Sequence, residues 1–147
     1  MHVLAKRALI PIAIAQFLTP LLPSIGVGVA LGDRATAAGI PPELPPGLFF
    51  SIWGVVFIGY FFVAVWAQRS TDAGVSAISV PLAFAGLGNI IWMVSAQTLG
   101  IAWLDFLLLF PILIFSWEAV QRLELAGGGG AGIASQLMDM VTGLLAG

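Results

Sequence analysis

Four long apolar runs, separated by short polar stretches, set the plan of this chain. They fall at about 8–31, 48–67, 77–96 and 101–120. Each approaches the ~20 residues that a helix needs to cross a hydrocarbon core about 30 Å thick. The second run, LFFSIWGVVFIGYFFVAVWA, is almost wholly apolar. The first carries Pro11, Pro20 and Pro23 with Gly26 and Gly28, which predicts a kink or break over 19–24, where proline removes a backbone donor and crowds the preceding turn. Pro81 is expected in the first turns of the third helix, where a missing amide costs little. Pro111 predicts a kink near the middle of the fourth.

The polar stretches between the runs complete the plan. Residues 32–46 hold Asp33, Arg34, Glu43 and four prolines, and read as a stiff loop outside the hydrocarbon. Gln121, Arg122 and Glu124 mark a return to water, and four glycines at 127–130 make a flexible linker. The segment 131–147 is apolar but short, and reads either as an incomplete fifth span or as an interfacial helix. Its abrupt apolar end suggests a natural chain that continues. Lys6 and Arg7 precede the first run as in a signal peptide, but the run is too long for one and further spans follow, so it is expected to stay uncleaved. The expected fold is all-α: a single integral membrane domain over 1–147, a polytopic helix bundle with four clear spans plus the incomplete fifth. With four crossings, Lys6, Arg7, Arg69 and Arg122 share one side against Arg34 alone on the other. The positive-inside rule makes the first side cytoplasmic and turns the 32–46 loop to the periplasm or lumen.

Composition sharpens this reading. The chain is 60% hydrophobic and 8% charged, too few charges to cover a water-facing surface. A net charge of −2 from only five basic residues leaves no cationic face for nucleic acid. There is no cysteine, and the one histidine, His2, is terminal, so thiolate chemistry and a metal centre are not expected. No phosphate-binding loop, HExxH motif or nucleophile elbow occurs, and no base candidate adjoins a nucleophile. The chain is not read as an enzyme.

Polar residues inside apolar runs carry the remaining information. Asn89 lies near mid-depth, where an unpaired amide is costly. It reads either as interhelical glue, bonded to a carbonyl or Ser95, or as a donor in a ligand cavity. Trp92 shares nearly the same helix face. Gln16 either joins a network with Asn89 or bonds carbonyls released by the prolines. Asp105, near the start of its helix, reads as a carboxylate at the positive dipole end or as a ligand contact. Glu118 and Arg122, four apart, are expected to pair. Trp53 with Phe49, Phe50 and Phe57 fits an aromatic wall for a flat apolar ligand such as a tetrapyrrole, sterol or carotenoid, and equally fits ordinary helix packing.

Pro45-Pro46-Gly47 runs into Phe50-Ser51-Ile52-Trp53-Gly54, and the next helix holds Gly88-Asn89-Ile90-Ile91-Trp92. Over about 9–125 this resembles the tryptophan-rich sensory protein family, bacterial relatives of the mitochondrial translocator protein, in its divergent Phe-Ala/Ser-Ile-Trp-Gly branch. Gly88 stands where the family's Leu-Asn-x-x-Trp signature has leucine. The resemblance implies five helices and a pocket beneath the first loop for porphyrins, haem intermediates or sterols. By the same match Phe50, Trp53, Asn89 and Trp92 would line that pocket. Two readings follow: a membrane binder or sensor of a flat apolar ligand, or a structural subunit of a larger membrane assembly such as a photosynthetic pigment–protein complex. Membrane lipid and a homodimer or larger complex are the expected partners.

Overall fold

The computed structural model describes residues 2–31, 33 and 52–125, and every regular element among them is helical. α1 (His2–Leu18) passes into a 3₁₀ helix (Thr19–Ile25), followed by α2 (Ile52–Arg69), α3 (Ala73–Thr98) and α4 (Ala102–Leu125). Three of these stretches are long and apolar enough to cross a membrane: His2–Ile25, Ala73–Thr98 and Ala102–Leu125. The fourth, Trp53–Arg69, is apolar but shorter. Among the described residues, three elements rather than four therefore meet the length of a crossing. Phe49, Phe50, the segment 131–147 and, apart from Asp33, the 32–46 loop lie outside the described residues.

The prolines of the first run act where expected. Pro20 and Pro23 cannot donate to carbonyls four residues back, so the α-helix gives way at Thr19 to the tighter 3₁₀ form. Gly26 ends it in the left-handed region, φ 82°, its amide directed at the Leu22 and Pro23 carbonyls. The chain then turns across the end of α3, where the Val29 amide donates to the Gln97 carbonyl at 2.8 Å. Gly28 makes that crossing possible. Its φ is 77°, and a Cβ there would lie 2.5 Å from the Gln97 carbonyl oxygen.

α3 begins earlier than its apolar pattern suggests. The Asp72 carboxylate accepts from the Gly74 amide at 2.6 Å, capping a helix that starts at Ala73. Pro81 is therefore more than two turns inside α3, past the early amides where the later start at 77 would put it. Proline there leaves the Ala77 carbonyl without its helical donor. Arg122 of α4 replaces the missing amide, donating from Nη1 to Ala77 O at 3.3 Å. Glu118 holds the other arm of the guanidinium at 2.5 Å, the expected i,i+4 pair.

Contacts at the two ends fix the directions of the helices. At one end, His2 Nδ1 meets Ser76 O at 2.8 Å and Lys6 Nζ donates to Ser70 O at 3.1 Å, while Gln68 reaches the Lys6 carbonyl. At the other, Val29 meets Gln97, and Ser95 meets Asp105. α1 and α3 thus run parallel, with α2 and α4 antiparallel to them. α3 is central: it packs most extensively on α4 and next on α1. α1, α2 and α3 converge at Gly86, where a Cβ would fall 2.5 Å from the Tyr60 hydroxyl and 2.6 Å from Ile12 Cγ2. That tyrosine is fully buried and donates to Leu82 O at 3.0 Å, so one hydroxyl ties α2 to α3.

Candidate functional site

The site grows from one turn above this convergence. Asn89 follows Gly86 by three residues, and Gln16 follows Ile12 by four, so each lies on the buried face of its helix. Both are 1% exposed. Asn89 Nδ2 donates to Gln16 Oε1 at 3.3 Å, across the α1–α3 contact. Asn89 is bonded neither to Ser95 nor to a backbone carbonyl, because the parallel packing of α1 brings the Gln16 amide nearer. Ser95 instead donates to Asp105 Oδ1 at 2.9 Å, which joins the end of α3 to the first turn of α4. Asp105 therefore stands away from the Gln16–Asn89 pair, in the position that favours a carboxylate on dipole grounds.

One bond leaves the amide pair incomplete. Gln16 Nε2 and Asn89 Oδ1 are buried without a hydrogen-bond partner. An orphan donor and an orphan acceptor side by side in an apolar core cost roughly 1–3 kcal/mol each. Such a pair can be satisfied by a small polar group that both accepts and donates.

Aromatic residues follow the pair along both helices, Trp92 three residues after Asn89 and Phe17 next to Gln16. Trp53 and Trp92, both half-buried against the core, bring their rings to 5.3 Å at 30°. Trp53 also meets Phe57 at 6.2 Å, and Phe57 meets Phe17 edge-on at 6.0 Å. A connected series of rings runs from α3 through α2 to α1. Each ring is placed by helical spacing: Trp53, Phe57 and Tyr60 recur at intervals of four and three along one face of α2. Phe50, the remaining residue expected beside Trp53, lies outside the described residues.

Two contributors were not singled out from the sequence. Tyr60 is the only tyrosine of the chain, and a lone hydroxyl in an apolar run is the signal that marks it. Phe17 carries no such mark, since its role depends on which helix packs beside it. The chemistry available is stacking and neutral hydrogen bonding. Among the described residues no group of three or more His, Asp or Glu side chains is placed to hold a metal.

Comparison with known proteins gives one family. No curated protein and no solved structure matches the chain. The family model described as TSPO-like protein matches residues 42–141, a stretch that contains Trp53, Asn89, Trp92 and Asp105. By this match, and in agreement with its apolar helices, the chain is an integral membrane protein of the TSPO-like family.

Proposed function

We propose that this TSPO-like protein binds and senses a flat apolar ligand, such as a tetrapyrrole, against Trp53 and Trp92. The reading rests on the closely paired indoles, with Trp92 one helical turn along α3 from Asn89 of the half-satisfied Gln16–Asn89 pair. Indole faces supply stacking area with little entropy to lose, and the amides supply orientation. By the family resemblance Phe50 is a further ligand contact in this reading. No acid–base pair is required, so the role is binding rather than catalysis. Here α2 makes a fourth crossing of a bacterial inner membrane, and the end bearing Lys6, Arg7, Arg69 and Arg122 is cytoplasmic.

The test is titration of the purified chain in detergent with protoporphyrin IX, followed by tryptophan quenching and the porphyrin absorbance band. Saturable binding is expected, weakened about threefold to tenfold by Trp92→Leu or Trp53→Leu, in line with ~0.5–1.5 kcal/mol per ring contact. Absence of saturable binding to any tetrapyrrole, sterol or carotenoid would sink the proposal.

A second reading, a subunit of a larger membrane assembly, draws on α4. Trp103, Phe106 and Trp117 are exposed by 65%, 61% and 57%. A surface so rich in large aromatics suits a partner helix. Co-extraction with other proteins at fixed stoichiometry supports it, and recovery of the chain alone after gentle extraction counts against it.

A further inference from the structure

The Gln16–Asn89 pair makes a demand that its described neighbours do not meet. Both side chains are 1% exposed, and their one mutual bond runs from Asn89 Nδ2 to Gln16 Oε1 at 3.3 Å. Two facing amides can close a reciprocal pair of N–H···O bonds. Here the return bond is not made, and among the described residues Gln16 Nε2 and Asn89 Oδ1 have no partner. Exchanging nitrogen and oxygen in both amides alters nothing, since the pair again keeps one bond and leaves one donor and one acceptor.

The surroundings offer no donor for the open oxygen. Asn89 lies well inside α3, where backbone amides bond carbonyls of their own helix. Tyr60 packs on Gly86, one turn from Asn89, but its proton goes to Leu82 O at 3.0 Å. Whatever completes the pair must therefore accept one hydrogen bond and donate another. A water or an alcohol hydroxyl does both. A carboxylate or a ketone only accepts, and an ammonium only donates. Ala13, one turn before Gln16 and 1% exposed, brings only a methyl group to this face of α1. Enclosure on every side favours the smallest such group, and buried waters in proteins commonly take polar atoms of this kind as partners.

We propose that the Gln16–Asn89 pair is a binding site for a single neutral hydroxyl, filled in the unliganded chain by one internal water that accepts from Gln16 Nε2 and donates to Asn89 Oδ1. The water adds a second link between α1 and α3 beside the direct amide bond. A ligand that reaches this point displaces the water without loss only by bringing a hydroxyl of its own. The site stands whether or not Trp53 and Trp92 bind a tetrapyrrole.

The experiment is NMR of the full, isotope-labelled chain with no ligand added, in a deuterated detergent that carries no hydroxyl. Dipolar cross-peaks between the Gln16 side-chain NH₂ and water are expected. They should have opposite signs in laboratory-frame and rotating-frame spectra, which separates a bound water from proton exchange. Asn89→Leu removes the acceptor and should abolish them, and Asn89→Met is the second variant if Asn89→Leu does not fold. Cross-peaks to the hydroxyl of a co-purified compound, lost in the same variants, would also support the site and identify a ligand as the source of the hydroxyl. A wild type without either kind of cross-peak overturns the proposal. So do cross-peaks that survive loss of Asn89, and so does a through-bond coupling from Gln16 Nε2 to Asn89, which would show the two amides closed on each other.

Discussion

α3 and α4 are comparably apolar, yet they are used in opposite ways. Half of the apolar stretch of α3 is buried inside the bundle, against 17% of that of α4. α3 meets α1, α2 and α4, and carries Asn89, Trp92, Gly86 and the carbonyls of Ala77 and Leu82 that other helices bond. α4 packs chiefly on α3, and Phe106, Ile114 and Trp117 are exposed. In lipid an exposed leucine or phenylalanine costs nothing, so apolarity does not choose which helix goes inside. What distinguishes α3 is its small residues, which let neighbours approach, and its few polar atoms, which need them.

The largest expected effect tests that distinction at Gly86. Gly86→Ala should destabilise the bundle by ~1–3 kcal/mol, since the added methyl meets Tyr60 and Ile12 together. Ile114→Ala on α4, 59% exposed, should stay within about 0.5 kcal/mol of wild type. Reversible unfolding in mixed micelles measures both, and equal losses would break the comparison.

Asn89 comes next. Asn89→Ala strands the Gln16 amide and should cost ~1–3 kcal/mol in the same assay. The double change Gln16→Leu with Asn89→Leu removes both polar groups and should lie closer to wild type than the single change. A double variant worse than Asn89→Ala would mean that the amides are fully satisfied in the membrane.

The smallest effect lies at the α3–α4 seam. Arg122→Ala should cost ~0.5–1.5 kcal/mol by freeing Ala77 O. With Pro81→Ala, which restores the helical amide, the same change should cost measurably less. An unchanged loss would show that Arg122 acts through Glu118 alone.

Much of this was legible in the sequence, for identifiable reasons. Proline chemistry is local, so the break at Thr19 follows from Pro20 and Pro23 alone. The Glu118–Arg122 pair follows from helical spacing. The sequence pattern starts α3 too late because Gly74 and Ser76 interrupt the apolar run at 73–76, while the decisive Asp72 cap is a single side chain. The partner of Asn89 depended on which helix lies beside α3, a long-range choice that no local pattern encodes. For the same reason the sequence offers Ser95 beside a backbone carbonyl as a partner of Asn89, whereas Ser95 donates to Asp105.

By itself the sequence determined that this is a membrane protein of apolar helices, because 8% charged residues cannot cover a surface in water. It also determined the aromatic and amide residues available for a site. Only the tertiary structure decided that α3 is the centre, that Gln16 answers Asn89, and that Arg122 stands in for the amide Pro81 lacks. Those are packing decisions. In a solvent as apolar as the side chains, close approach and hydrogen bonding rather than hydrophobicity make them.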